Sequence, residues 1–277
     1  MDRYEKTGYL HQEFKMFHLT DRDRQDYAFH YHDFHKLLIF IRGNVTYHVE
    51  GKSYVLQPYD LVFVRAGEVH CPVVDASMDY ERMIIYISPE YAAAHSHEVD
   101  LSHCFRLAAR EKSNVLRMGT VPGNRILSVM QELHRTYLQE SYADELYRNT
   151  LFLELMILLN RSALQGSLPF LEDSHANGKI LSVLSYINEH LTEELSIQSL
   201  CAHFFLSRSY LMHSFKDETG YTIGSYITTK RLLYARELIL AGAPITESCF
   251  SCGFRNYSTF SRAYKKQFGA PPRLLRS

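Results

Sequence analysis

The sequence predicts an α+β chain of two domains: a small β-barrel followed by a helical pair, then an all-α domain with two helix-turn-helix motifs. Three observations predict it. Short apolar runs alternate with turn residues from Tyr27 to Ser88, as in barrels and sandwiches of short strands. From Gly123 the apolar spacing becomes helical. After an irregular stretch at 166–178, six helical segments follow with clear caps and stops.

The barrel is expected within 1–120. Lys36–Ile41 stops at Arg42-Gly43-Asn44, Val45–Val49 at Glu50-Gly51-Lys52, and Ser53–Leu56 at Gln57-Pro58-Tyr59-Asp60. Leu61–Val64 stops at Arg65-Ala66-Gly67-Glu68, and Arg82–Ile87 closes the set. Period 2 places His30, His32, Phe34, Lys36, Leu38 and Phe40 on one face of an extended strand. If that face looks inward, imidazoles and an ammonium meet inside the barrel.

A helical pair is expected at 121–165. Ile126, Leu127, Val129, Met130, Leu133, Tyr137 and Leu138 fit one helical face. A second helix over Ala143–Ala163 has a wide apolar arc, which suits packing on the barrel and equally a dimer seam. The stretch GSLPFLEDSHANG at 166–178 lacks periodicity and reads as a linker.

The last domain spans 179–277. Lys179–His190 is the first helix, and Ser196 caps a second with Leu200 and Phe204 on its apolar side. Ser207 caps Arg208–Thr219, in which Leu211 and Phe215 share a face and Gly220 is the stop. Thr222 caps Ile223–Leu240, a helix of 18 residues, or about 27 Å. Thr246–Cys252 follows, and Asn256 opens a last helix to Phe268, closed by Gly269 and Pro271-Pro272. Helix, tight turn and second helix thus recur, at about 196–220 and 245–269, with a connecting helix at 222–241. In such motifs the second helix enters the major groove. Two reading helices on one face of DNA lie about 34 Å apart.

The charge divides with the domains. Residues 178–277 carry 12 Lys and Arg against 7 Asp and Glu, a net +5, and the remainder carries −6. A basic module joined to an acidic one points to a polyanion partner. With 46% hydrophobic and 22% charged residues the chain has the composition of a globular protein. No apolar run reaches the length that spans a bilayer, and the opening Met1-Asp2-Arg3-Tyr4 is not a signal peptide, so a cytoplasmic location is expected. Five dispersed cysteines oppose a disulfide framework, and Cys249 and Cys252 lack a second pair to complete a zinc site. They are expected in a core.

The C-terminal hundred residues resemble the DNA-binding domain of the AraC/XylS family of regulators. Ile245-Thr-Glu247, Gly253-Phe254, Tyr257-Ser-Thr-Phe260-Ser261-Arg262, Lys265-Lys266, Phe268-Gly269, Pro272 and Arg276 carry the resemblance in the second motif. Leu200, Leu206-Ser207, Tyr210-Leu211, Phe215-Lys216, Gly220, Tyr226, Arg231 and Ala235 carry it in the first. Cys201, Cys249, Phe205 and Ser248 depart from the family pattern. The resemblance implies double-stranded operator DNA as partner. It places Arg208, Ser209, Met212, His213 and Lys216 of the first motif at the DNA, and Tyr257, Ser258, Ser261, Arg262, Lys265 and Lys266 of the second. Arg262 is the best candidate for base readout, because Arg binds guanine O6 and N7 together. Lys216, Lys265 and Lys266 suit phosphates.

The N-terminal part resembles the family's cupin-like effector domain through His30-Tyr-His32, Gly43, Tyr47, Gly51, Tyr54, Leu56, Asp60, Gly67, His70 and Arg82. Metal cupins use two His, a Glu and a later His. Here Lys36 stands at the Glu position, and its positive charge opposes a divalent ion. No metal and no cofactor is expected in the chain. His30, His32, Lys36 and His70 become effector-binding candidates, and the resemblance implies a sugar or related polar metabolite. A homodimer is also expected, with the apolar arc of the second helix of the pair as its candidate seam. The leading expectation is therefore an effector-controlled transcription regulator that is not an enzyme. The alternatives are a metal-dependent cupin enzyme fused to a DNA-binding domain, and a module working mainly through a protein such as RNA polymerase.

Overall fold

The computed structural model describes residues 5–6, 10, 14–22, 27–94, 100–118, 124–139, 141–165, 169–171 and 177–276. The chain forms two compact units. One comprises Thr7–Val49 and Ser53–His175, and the other Ala176–Ser277 with Met1–Lys6 and Glu50–Lys52.

The strands are β1 (Glu5–Lys6), β2 (Phe14–Asp21), β3 (His30–Tyr31), β4 (His35–Arg42), β5 (Asn44–Val49), β6 (Lys52–Val55), β7 (Leu61–Val64), β8 (His70–Asp75), β9 (Tyr80–Ile87) and β10 (Val115–Leu116). Within the N-terminal unit one sheet runs β3-β8-β5-β6 and the other β10-β7-β4-β9-β2. Helices α1 (Pro89–Ala94), α2 (His103–Arg110), α3 (Arg125–Arg135) and α4 (Asp144–Leu164) complete it.

Strand parity sorts the side chains into two cores. Leu38 and Phe40 of β4 join Val45, Tyr47 and Val49 of β5 between the sheets. Their neighbours Leu37 and Ile39 face the other way and meet Val129, Met130 and Leu133 of α3 and Leu151, Phe152 and Leu155 of α4. A strand buried on both faces needs an unbroken apolar run, which Leu37–Ile41 supplies.

Several sequence-based expectations change here. The continuous strand through His30, His32 and Lys36 is interrupted: β3 ends at Tyr31, and Asp33–Phe34 form a bend before β4. Strands β2, β8 and β10 and helices α1 and α2 were not legible. The first two alternate too little, and β10 is too short to leave a period. The segment expected as a linker is in part tied to the barrel. Leu171 N–H donates to the Val115 carbonyl at 2.7 Å and Arg117 N–H to that of Pro169 at 3.3 Å. Residues 166–168 and 172–176 of that expected linker lie outside the described residues.

The second unit consists of α5 (Gly178–Glu189), α6 (Ile197–Phe204), α7 (Arg208–Thr219), α8 (Ile223–Leu240), α9 (Ile245–Ser251), α10 (Tyr257–Phe268) and a 3₁₀ turn at Pro272–Arg276. The expected caps are present. Ser196, Ser207, Thr222 and Asn256 each accept from a backbone N–H of the first turn. Such caps contribute about 1 kcal/mol each. Around the second motif Leu232, Ala235, Ile239, Cys249, Cys252, Phe260 and Tyr264 form one core. Both cysteines are fully buried there.

Candidate functional site

Two groups of residues have the geometry of sites, one in each unit. In the C-terminal unit the first is built on α7 and α10, the second helices of the two motifs. Burial of Leu211 and Phe215 fixes the roll of α7, and burial of Phe260 and Tyr264 fixes that of α10. Arg208, Ser209, Met212, His213 and Lys216 are thereby exposed on α7, and Tyr257, Ser258, Arg262, Lys265 and Lys266 on α10. Ser261 is half-buried. The start of each helix is presented by its cap residue, Ser207 or Asn256, and free N–H groups at such starts suit phosphate.

The two motifs are tied together through Arg231 of α8. Its Nε donates to the Leu191 carbonyl at 2.8 Å and its Nη2 to that of Glu193 at 2.5 Å, in the segment before α6. The same guanidinium lies on Gly253 in the turn between α9 and α10. A Cβ there would stand 2.9 Å from Arg231 Nε and 3.0 Å from the Thr192 carbonyl oxygen, and φ is +91°. Only glycine meets both conditions. In the first motif the corresponding turn carries Phe205 at φ 54° with 94% of its surface exposed. The bulky residue that departs from the family pattern thus keeps a left-handed turn, with its ring directed to solvent.

The second group lies between the sheets of the barrel. His30 pairs with His70 across β3 and β8, and Val49 pairs with His70 across β5 and β8, so both imidazoles share the inner face with Tyr47. Lys36 arrives from β4 of the opposite sheet. Its Nζ donates to Tyr47 Oη at 3.0 Å and lies 3.5 Å from His70 Nε2. The His30 and His70 rings are 4.3 Å apart, and those of His32 and His70 4.7 Å. Phe34 stacks on His32 at 4.2 Å and meets Tyr86 at 4.3 Å. The four candidates His30, His32, Lys36 and His70 are therefore brought together. Tyr47 belongs with them and was missed as a site residue. Its strand parity was legible, but not which strand would lie opposite.

The protonation pattern follows from backbone contacts. Nδ1 of His30, His32 and His70 lies 2.9, 2.7 and 3.1 Å from the carbonyls of Ala28, Phe34 and Glu68. A carbonyl only accepts, so each Nδ1 carries the proton and each Nε2 offers a lone pair. Burial, with the Lys36 charge second, pushes His30 down to about 4 and holds His32 and His70 well below the usual imidazole range. Burial, then the Arg82 charge, lowers Lys36 to about 7. His32 Nε2 is buried without a hydrogen-bond partner among the described residues, an unmet acceptor of the kind that costs about 1–3 kcal/mol. Lys36 faces the His70 lone pair that a metal in a cupin arrangement would use.

Residues 14–156 match the AraC-like ligand binding domain family, and residues 200–277 match a helix-turn-helix domain family. The HTH-type transcriptional activator RhaS of Shigella sonnei is 26% identical over 256 residues, covering 91% of this chain and 88% of the relative. The C-terminal domain of AraT, a response regulator from Geobacillus stearothermophilus, is 28% identical over 37% of this chain and 87% of its own, with a TM-score of 0.36. ToxT from Vibrio cholerae is 14% identical over 95% of this chain and 97% of its own, with a TM-score of 0.39. No helix among the described residues is long and apolar enough to cross a membrane.

Proposed function

The chain belongs to the AraC family of transcription regulators, and from that premise we propose that it is a one-component switch whose barrel binds a sugar or related polyol and thereby changes its occupancy of a DNA operator. The observation that carries the effector class is the mixture of donors and acceptors between the sheets. Lys36 donates, while His30 and His32 present bare Nε2 acceptors. A hydroxyl both donates and accepts, so a ring of hydroxyls satisfies both kinds of group at once.

The rings of the cluster are packed against one another, so a ligand has to part them. An effector that binds only the opened barrel shifts the protein toward it, and coupling to DNA then requires that the two forms differ in operator affinity. The DNA-facing set is Arg208, Ser209, Met212, His213 and Lys216 with Tyr257, Ser258, Ser261, Arg262, Lys265 and Lys266. A homodimer is supported by α4, where Leu146, Ile157 and Leu164 are exposed. With Leu153 they are spaced by 7, 4 and 7 residues, the spacing of a helix-pairing seam.

The test is operator titration by fluorescence anisotropy, on fragments selected by genome-wide binding, with and without a panel of sugars and polyols. A change in operator affinity with one class of polyol is expected, together with its loss in the His32→Phe variant. Identical operator affinities across the panel would refute the effector class.

A further inference from the structure

A second polar cluster lies away from both groups, on the helix-facing side of the barrel. Phe14, Met16 and His18 alternate on that side of β2, the first two packed on its core. His18 pairs with Met83, and Thr20 with Glu81, so Glu81 is the diagonal neighbour of His18 on the same face. Met83, Ile85 and Ile87 of β9 lie in that core as well, which confirms the parity. Helix α3 covers this face through Val129, Met130 and Leu133, and the next residue, His134, comes down beside His18.

Three donor atoms converge there. His18 Nε2 is 2.9 Å from Glu81 Oε1, His134 Nε2 is 3.3 Å from the same oxygen, and the two Nε2 atoms are 3.2 Å apart. With Glu81 ionised, protons alone leave one edge of this triangle unmet. Each Nε2 has one in-plane direction, filled either by a hydrogen or by a lone pair. If both imidazoles donate to Oε1, the two N–H groups confront each other at 3.2 Å. If one presents its lone pair, that lone pair faces the carboxylate. A cation at the centre satisfies all three edges together.

We propose that His18, Glu81 and His134 form a binding site for a divalent transition-metal ion with the preferences of zinc, held by three protein ligands and open at the fourth position. Two imidazoles and a carboxylate are a known zinc donor set. Zn–N and Zn–O bonds of about 2.0–2.2 Å at tetrahedral angles place ligand atoms about 3.3 Å apart. The observed separations of 2.9, 3.2 and 3.3 Å lie close to that spacing, and the shortest has to open by about 0.4 Å to reach it. The second carboxylate oxygen is already engaged, because Arg42 Nε donates to Glu81 Oε2 at 3.0 Å. That bond fixes Oε1 toward the imidazoles, as outer partners of metal-bound carboxylates do. His134 lies in the last turn of α3, where the helix end carries partial negative charge and favours a cation. The three side chains are 13%, 15% and 27% exposed, so an ion and a fourth ligand from solvent can reach the centre. Among the described residues no other trio of His, Cys, Asp or Glu side chains converges as a metal site. A bound ion joins β2, β9 and α3, and so fastens the helical pair to the barrel.

The experiment uses the full chain, stripped with a chelator and returned to metal-free buffer. Zinc is titrated in competition with a chromophoric chelator, and cobalt(II) is added separately to report geometry. One equivalent of zinc per chain is expected, with the intense visible absorption of four-coordinate cobalt. His134→Gln and Glu81→Gln should each weaken zinc at least tenfold, while His70→Gln in the other cluster should leave it within twofold. Circular dichroism establishes that each variant is folded. If His134→Gln fails to fold, His18→Gln replaces it. Absence of zinc binding in the unaltered chain overturns the site. So does equal affinity in the folded His134 or His18 variant, and so does a six-coordinate cobalt spectrum that these variants do not change.

Discussion

Replacing Lys36 by methionine tests the electrostatics of the barrel most directly. Lys36 is 6% exposed between the two sheets, and burial together with the Arg82 charge lowers it to about 7. An unfolded lysine titrates near about 10.4. Between these values the unfolded chain binds one more proton than the folded one, so stability rises with pH in that window. The cost of burying the lysine is fully present below about pH 7, and disappears as pH rises through the unfolded value. At about 1.4 kcal/mol per tenfold, the full cost is ~5 kcal/mol. Methionine removes it but leaves Tyr47 Oη and His70 Nε2 without a donor, at about 1–3 kcal/mol each. The absolute sign at one pH is therefore a weak test, and the slope is the sharp one. The stability difference, variant minus unaltered chain, should shrink by roughly 2 kcal/mol between pH 7 and pH 9. Urea unfolding at several pH values, followed by the loss of the β-sheet dichroism, measures it. The neighbouring imidazoles are pushed downward and stay neutral in both proteins over this range. A difference independent of pH from 7 to 9 would refute a lysine displaced by burial.

Three further outcomes are expected. Arg262→Ala should cost on the order of 1–3 kcal/mol on the specific operator and relax one base preference, as read in a gel-shift titration. An unchanged specific affinity would remove Arg262 from the reading set. Gly253→Ala should destabilise the second motif by about 1–3 kcal/mol, because φ at +91° and the Arg231 contact at 2.9 Å both oppose a side chain. Thermal unfolding reads this, and a variant as stable as the parent would contradict the turn geometry. Asn256→Ala removes the cap that accepts from Thr259 N–H at 3.1 Å and should cost about 1 kcal/mol in the same assay. Loss of stability within error of zero would mean that solvent replaces the cap.

The cluster between the sheets was only partly legible in the sequence. His30, His32, Lys36 and His70 were selected on period and spacing, and the fold does gather them. The reason assumed, one continuous strand, is not the reason observed. The chain bends at Asp33–Phe34, and the residues meet because β3 pairs with β8 while β4 belongs to the facing sheet. Tyr47, the closest partner of Lys36, is 11 residues away on a different sheet. The trio of His18, Glu81 and His134 left no pattern at all in the sequence, since its members are separated by 63 and 53 positions.

The sequence by itself determined the C-terminal unit almost residue by residue. Its helices are local structures, and Ser207, Thr222, Asn256 and the glycines after α7 and α10 act on bonds within one turn. It also determined which faces of α7 and α10 are buried, because a period of 3.6 needs no partner to be read. Tertiary structure alone decided how the barrel strands pair, which side chains meet between the sheets and which meet under α3. Those contacts depend on register and sheet order, set by many distant residues together, and a strand carries only the alternation of its faces.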